Sequence, residues 1–326
     1  MKRRDSMTFR QLLLFVAILA AGGFYSRPAT AGDLNDLIMQ VNQEYAEAYL
    51  APLFTAYGIN QNSGLYSTAS IPKVRITIAF GLKITATKIS DDRRNFRKTM
   101  NVTLDERYGF SEGDDGFGET ARIIMVGPTV FGDDEDPGYI QIDPDNYPAL
   151  APQATIPGMT DTPYVPMIVP EASVGGIAGL RATVRWFPSI SQPGVPKVNF
   201  LGYGLQYSVT NHLPDFPVDV MVGFFHTNLS MDGVLDASSN SCFLAASKSA
   251  VILTVYGGFA VEKSTMDIDY TFRPESGPPV AVSFSEKSEQ KARVTIGAGV
   301  NMGLKLNLEA SFGKMTNYTA GVMFGF

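Results

Sequence analysis

The residues of this chain best suited to catalysis are its two histidines and its single cysteine. A serine hydrolase needs a histidine as general base beside a nucleophile and an orienting partner. His226 shares one face of its predicted strand with Asn228, and Ser208 precedes His212 by four residues. Neither arrangement matches a hydrolase motif, and Cys242 has no nearby histidine. We therefore expect structural roles for both histidines and a loop position for the thiol.

Two acidic runs could supply oxygen ligands to a calcium ion. They occupy residues 133–136 and 143–146. Neither run has the alternating Asp spacing, followed by glycine and a distal glutamate, that a calcium loop requires. Solvated acidic loops are therefore favoured. The sequence predicts no catalytic residue, no metal site and no cofactor.

A further set of charged residues alternates with apolar residues along predicted strands. Side chains of a strand alternate between two faces, so charges that oppose an apolar face would point into the interior of a barrel. Their mixed signs favour an internal network of ion pairs over a strongly ion-selective pore. Structural filling and a solute path remain equally open. The predicted lumen-facing residues are Arg75, Lys83, Arg181, Arg185, Asp219, Asp267, Asp269, Lys305 and Glu309.

The strands themselves predict an all-β protein, a transmembrane antiparallel β-barrel. Residues 74–88 alternate almost without interruption, and a tilted strand of that length can cross a bilayer, whereas strands of soluble domains are usually shorter. No βαβ spacing is present, which argues against a doubly wound fold. Including an uncertain pair at 53–60 and 96–108, we expect about 12–14 strands, an even number being usual in bacterial barrels. The other predicted strands are 120–126, 174–187, 198–210, 218–229, 250–261, 265–272, 294–300, 302–312 and 316–326.

The N-terminal residues predict that the protein is secreted across the inner membrane. Residues 1–31 have a basic start, a short apolar run and a small-x-small site, which predicts a cleaved signal peptide. Residues 32–52 have apolar residues at helical spacing and Pro52 as a stop, which predicts an amphipathic helix that lies across the periplasmic mouth of the barrel or plugs it. The remaining residues, 53–326, form the predicted barrel, with long acidic and proline-rich loops around 111–170.

Composition excludes several classes of protein. The net charge of −6 opposes nucleic-acid binding. No segment after the signal has eighteen consecutive apolar residues, which excludes a helical membrane protein. The single cysteine excludes an intramolecular disulfide.

The last strand resembles the terminal strand of bacterial outer-membrane barrels, the signal that the barrel assembly machinery reads in those proteins. Its aromatic and apolar residues share one face and end on the terminal residue, where lipid can bury them. The residues that carry this predicted barrel-assembly signal are Tyr318, Val322, Phe324 and Phe326.

Much of the mature chain resembles an uncharacterised family of predicted outer-membrane proteins. The resemblance lies in residues 49–53, 62–69, 185–188 and 213–219, which mark turns and strand starts. It implies an outer-membrane barrel and assigns no catalytic residues. A fainter similarity is to long-chain fatty-acid transporter barrels, whose plug sequence has no clear match here.

These observations favour a non-enzymatic barrel in the outer membrane of a Gram-negative bacterium, acting as a channel or transporter for small or apolar solutes. The alternative is a structural or secretion-accessory barrel that binds an external or periplasmic protein through its loops. A barrel hydrolase and a soluble secreted β-sandwich are weaker alternatives. The expected partners are outer-membrane lipid and, during biogenesis, the barrel assembly machinery.

Overall fold

The computed structural model describes residues 43–326 except 105–111, 144, 147–151, 156, 161, 193–194, 214, 232–234, 273–279 and 326. Within that part of the chain, ten antiparallel strands close into a barrel in the order β1-β6-β7-β8-β9-β10-β11-β13-β14-β15. These strands are β1 Val74–Lys88, β6 Tyr164–Ile177, β7 Leu180–Gln192, β8 Val195–Ser208, β9 Asp219–Met231, β10 Leu235–Ala250, β11 Leu253–Phe272, β13 Ala292–Met302, β14 Leu304–Phe312 and β15 Asn317–Gly325.

Closure joins the first barrel strand to the last. β1 pairs with β15 in a register that places Phe80 opposite Phe324, and their rings stack with centroids 5.7 Å apart. β1 also pairs with β6 along its length, with Ile84 opposite Ile168. Because β10 pairs with both β9 and β11, each of the ten described wall strands pairs on both sides, which leaves no edge of the wall where another chain could add.

The two faces of the barrel wall have opposite polarity. On the outer face, Ile76, Phe80 and Leu306 are 60%, 50% and 38% exposed. On the inner face, Lys83 and Thr85 are buried. Apolar side chains outside and polar ones inside are the arrangement of a barrel in lipid. The predicted all-β, antiparallel transmembrane barrel with a short N-terminal helix is therefore confirmed.

The polarity inverts toward one end of the barrel. On β11, Met266 and Ile268 are buried, whereas Asp267 and Asp269 are exposed on the outer face. The prediction that these two aspartates face the lumen is therefore wrong. The predicted alternation was correct. At this end β11 extends beyond the apolar band, the part of the barrel whose outer face is apolar, and its apolar side chains lie on the inner face.

The predicted count of about 12–14 strands was too high. Residues 53–60 belong to a helix, and β2 (Asn95–Thr103) joins a separate sheet. Residues 250–261 and 265–272, predicted as two strands, lie mostly in the single strand β11. Conversely, 174–187 spans a turn between two strands.

The N-terminal helix, α1, runs from Gln43 to Gln61. The signal peptide predicted at 1–31, and the predicted helix start, lie outside the described residues. Pro52 lies inside α1 and does not end it, because packing on all sides of the later turns outweighs one lost backbone hydrogen bond. In the described residues, no helix has both the length and the hydropathy needed to cross a membrane.

A small four-stranded sheet, here called the lid, covers one end of the barrel. It comes from the long excursion between β1 and β6, where we predicted long acidic and proline-rich loops around a strand at 120–126. Its apolar face packs on the first turns of α1, where the rings of Tyr45 and Phe96 meet edge to face at 5.0 Å. The lid strands are β2, β3 (Thr120–Pro128), β4 (Tyr139–Ile142) and β5 (Gln153–Ala154).

The two ends of the barrel differ in their connections. At the lid end, β12 (Val280–Lys287) pairs with the extension of β11. At the other end, here called the turn end, β6–β7, β10–β11 and β13–β14 are joined by tight turns. Gly303 has φ of +89° in the last of these, a conformation that favours glycine. The end of β15 lies at the turn end.

Candidate functional site

Residues 43–73, here called the plug, fill much of the barrel lumen. The plug enters at the lid end as α1, and the later turns of α1 contact β1, β6, β11 and β12. It continues as an extended segment and reaches the turn end, where Ala178 N donates to the carbonyl of Lys73. Of the two placements that the sequence left open, across the periplasmic mouth or plugging the barrel, the structure shows the second, because α1 lies inside the barrel with its N-terminus at the lid end.

Asn60 anchors the last turn of α1 to one side of the wall. Its side-chain amide donates to the carbonyl of Val165 at 2.8 Å. Its Oδ1 accepts from the hydroxyls of Thr85 and Thr87 at 3.1 and 2.8 Å, and from the amide of Asn317 at 2.8 Å. All of these groups are buried, so each bond offsets the cost of removing its partners from water.

Arg185, on the neighbouring strand β7, holds the residues just after α1. Its guanidinium donates to the carbonyls of Ser63 at 2.8 Å and Gly64 at 2.6 Å. It also pairs with Glu171 at 2.8 Å and lies over the ring of Phe225 at 5.1 Å. With 1% of its surface exposed, Arg185 is buried together with its counter-ion.

Arg293 provides a second contact of the same kind. It donates to the carbonyl of Asn62 and, at 2.8 Å, to the hydroxyl of Ser63, and it pairs with Glu262 at 2.8 Å. Glu309 is a third wall residue that holds the same segment, because it accepts from the backbone amide of Gly64 at 2.9 Å. We call Arg185, Glu171, Arg293, Glu262 and Glu309 the clamp.

The position of the clamp follows from the electrostatics of a helix end. The last carbonyls of a helix have no partner within the helix, and together they carry a partial negative charge. Buried in a lumen without such partners, α1 would be destabilised. The two clamp arginines supply donors to the residues just after the helix ends, so the plug is held by charge-assisted hydrogen bonds.

The extended part of the plug leans on one side of the lumen. Tyr66 packs between Phe243 and Tyr256 of the wall, with ring centroids 5.1 and 5.9 Å away. Ala69 N donates to the hydroxyl of Ser247 at 2.9 Å. Because the segment packs against β9–β11, space remains between it and the opposite wall.

That space is a cavity of about 320 Å³, here called the vestibule, which reaches from the middle of the lumen to the rim at the turn end. Of the described residues that line it, the cations are Arg75, Lys83, Arg181 and Lys305, and the carboxylate is Glu171. Glu171 is already paired with Arg185 of the clamp.

The structure thus divides the predicted lumen-facing residues into groups. The basic residues Arg75, Lys83, Arg181 and Lys305 line the vestibule, and Arg185 and Glu309 belong to the clamp. Asp219 is the first residue of β9, on the side that carries the buried Met221. Asp267 and Asp269 face outward, as described above.

Sequence reasoning missed three members of the clamp. Glu171 lies in β6, whose prolines at 166 and 170 obscured a strand. Arg293 directly precedes the predicted start of its strand at 294, and Glu262 fell between two segments that the structure joins. A charged residue at the inward position of an extended alternation could have identified Glu262.

The residues first considered for catalysis lie outside the lumen. His226 is on the outer side of β9, where Nδ1 is 2.8 Å from Oδ1 of Asn240 and the ring contacts Tyr203. His212 follows β8 in a short turn and contacts the hydroxyl of Tyr207. Cys242 is exposed on β10, so its predicted loop position was wrong.

At the lid end, the plug carries a buried phenol. Burial raises the pKa of Tyr45, and a hydrogen bond to Thr155 at 2.9 Å opposes that shift. The phenol therefore stays neutral and acts as a hydrogen-bond donor between the plug and the lid.

The closed wall, apolar outside and polar inside, is the outer-membrane β-barrel fold. The chain belongs to a family of unknown function, DUF6588, whose model matches residues 7–326. The predicted resemblance to an uncharacterised family of outer-membrane barrels is thereby confirmed. A search of curated proteins finds none that matches.

Among solved structures, the chain is similar to a loop-deletion mutant of OmpT, an outer membrane protein of Vibrio cholerae, at 12% identity and TM-score 0.25, over 77% of this chain and 99% of that one. It is similar to the outer membrane protease OmpT from Escherichia coli at 11% identity and TM-score 0.26, over 79% and 98%. The translocator domain of the autotransporter NalP from Neisseria meningitidis matches at 11% identity and TM-score 0.26, over 86% and 97%.

Proposed function

We propose that this protein is a non-enzymatic channel in the outer membrane of a Gram-negative bacterium, and that the plug closes it. Displacement of the plug would let small solutes cross. The inner wall around the cavity at the turn end is polar and favours polar solutes over apolar ones, which narrows the expectation drawn from the sequence. The observation that carries the proposal is that polar and charged contacts hold the plug end in a polar lumen.

The orientation of the barrel follows from its connections. Outer-membrane barrels have short periplasmic turns and longer external loops. The turn end would therefore face the periplasm and the lid would face the outside. Tyr318, Val322 and Phe324 are exposed on the outer face of the last strand, which supports contact with lipid and a role as assembly signal.

The nature of the clamp supports a gate. Water can replace the hydrogen bonds between the clamp and the backbone carbonyls, whereas separating the apolar contacts of α1 and Tyr66 from the wall exposes hydrocarbon and keeps the open state rare. Displacing the plug would hydrate both partners. A channel that opens rarely, without unfolding the wall, is consistent with that chemistry.

A disulfide between plug and wall tests the gate. Ala69 N donates to Ser247 Oγ at 2.9 Å, so these two residues are direct neighbours across the contact between plug and wall and are the pair chosen for a cross-link. In an Ala69→Cys, Ser247→Cys, Cys242→Ser variant, we expect the oxidised protein to show no conductance in planar bilayers. The same molecules after reduction should conduct like the Cys242→Ser parent.

The reduced form is the matched control, since it differs only in the cross-link. Equal conductance in both forms would contradict a gating plug. If neither the reduced form nor the parent conducted at any voltage or salt concentration, the proposal that the protein is a channel would be contradicted.

The absence of catalysis is part of the proposal. Purified protein is expected to show no esterase activity. If it did, loss of that activity in His226→Ala would favour the hydrolase alternative.

A second candidate function rests on the lid. Its loops at 112–115 and 133–136 expose their acidic side chains at the barrel end that we assign to the outside. They would suit a basic external partner of a structural or secretion-accessory barrel. Asp133 shapes its own loop by accepting backbone hydrogen bonds from Glu135 and Asp136, so it should be kept in any test.

We expect an Asp134→Asn, Glu135→Gln, Asp136→Asn variant to lose a partner that wild-type protein retains in affinity capture from the native cell surface. Asp236→Asn, an exposed change on the outer face of β10, is the control. Retention of the same partner by both variants would rule out binding through this loop.

A further inference from the structure

The vestibule combines enclosure with an excess of positive charge. Its deep end is formed by Lys83 and Asn307, and its rim by Arg75 and Asn301. The barrel wall surrounds it on one side and the extended part of the plug on the other. A solute would therefore enter from the turn end even while the plug is in place.

The cations of the vestibule form no close ion pair within the described residues. Among those residues, Arg75, Lys83, Arg181 and Lys305 have no carboxylate oxygen within 4.0 Å. Glu171, which also lines the cavity, is held by Arg185. Like charges gathered in a partly enclosed space repel one another, so an anion between them would be stabilised.

The ammonium groups of Lys83 and Lys305 lie in the space left by two glycines of β15. A Cβ atom added at Gly321 would lie 2.8 Å from Nζ of Lys83, and one added at Gly325 would lie 2.8 Å from Nζ of Lys305. Larger residues would displace both ammonium groups. The two glycines thus accommodate two cations on one side of the cavity.

Donors remain available for a ligand. Lys83 is buried and donates to Oδ1 of Asn307 at 2.9 Å, which leaves two of its three N–H groups. Arg181 is partly committed, because it donates to the plug carbonyl of Ser70 at 3.0 Å. The hydroxyls of Thr77, Ser173, Thr183, Ser249 and Thr254 also line the cavity.

We propose that the vestibule is a binding site for a small multivalent oxyanion of the phosphate class, such as a pyrophosphate or a phosphate ester. Phosphate oxygens accept charge-assisted hydrogen bonds from Lys and Arg, and more than one negative charge is needed to match the cluster. The site exists in the closed barrel. The inference therefore goes beyond the proposed channel and does not depend on conductance.

The test is titration calorimetry of the purified barrel with sodium pyrophosphate at constant ionic strength. Wild-type protein should bind pyrophosphate. An Arg75→Gln, Lys305→Gln variant, which removes two cations near the rim, should bind about tenfold or more weakly, because two charge-assisted hydrogen bonds to the anion are lost. The control is Lys197→Gln, Lys263→Gln, two exposed lysines outside the cavity.

Absence of binding by wild-type protein, or an equal loss in both double variants, would overturn the proposal. Lys83→Gln gives an independent check at the deep end, and it should weaken binding while the barrel keeps its folded mobility on a cold denaturing gel.

A phosphate group could belong to a soluble compound or to a lipid headgroup. The position of the cavity inside the wall favours the soluble source. Titrations in nanodiscs of phosphatidylcholine, with and without phosphatidylglycerol, separate the two sources. Unchanged affinity assigns the site to soluble anions, and weakening by phosphatidylglycerol assigns it to lipid phosphate.

Discussion

Replacing Arg185 with alanine should lower the free energy of unfolding by about 3–5 kcal/mol, the loss expected when one partner of a buried ion pair is removed. The substitution leaves Glu171 buried without its cation, at 2.8 Å from the vacated position. It also removes the donors to the carbonyls of Ser63 and Gly64. Urea unfolding of the barrel in lipid, followed by tryptophan fluorescence, measures the loss.

Two further variants separate the clamp from a general effect of losing an arginine. Arg97→Ala removes an exposed arginine from the lid and should change stability by less than about 0.5 kcal/mol. Glu171→Gln combined with Arg185→Met removes both buried charges and should recover part of the loss. If Arg185→Ala were as stable as Arg97→Ala, the clamp would not hold the plug.

Replacing Leu244 with arginine should destabilise the folded barrel by about 2–4 kcal/mol, the cost of a basic side chain near the middle of a lipid-facing wall. Leu244 is 52% exposed on the outer face of β10. It lies between Val222 of β9 and Phe259 of β11, both exposed as well. In a water-soluble protein, arginine at such an exposed position would be almost neutral.

Ser238→Arg is the matched control, because Ser238 lies on the same strand and the same face. Its neighbours are Asn228 and Thr265, both polar. Near or beyond the edge of the apolar band, the cost should be about 0–1 kcal/mol. Equal costs at Leu244 and Ser238, measured by urea unfolding in the same lipid, would contradict the assigned band.

Some features of the fold could be predicted because they follow from the alternation of apolar and polar residues within a single strand. Residues such as Ile76 and Phe80 show period-two patterning, and the period alone assigns the side of the wall. The same pattern could not identify strands whose amino-acid composition shows no clear alternation of apolar and polar residues. β6 contains prolines, so only its end, from 174, was recognised. β10 is rich in serine and alanine and was not recognised as a strand.

The clamp could not be predicted in the same way. Arg185 and Glu171 are neighbours only because β6 and β7 pair in the observed register, and their target is a helix end more than a hundred residues earlier in the chain. No local pattern encodes which carbonyls need a donor. The direction in which the plug crosses the lumen is likewise decided by long-range packing.

By itself, the sequence determined an all-β barrel with an apolar exterior, because the alternation of side chains is a property of each strand taken alone. The tertiary structure decided how many strands close the wall, where polarity inverts, and that residues 43–73 occupy the lumen. It also separated the inward charges into a clamp and a cationic vestibule. These outcomes depend on which distant groups meet in a low-dielectric interior, and that is settled only when the chain closes on itself.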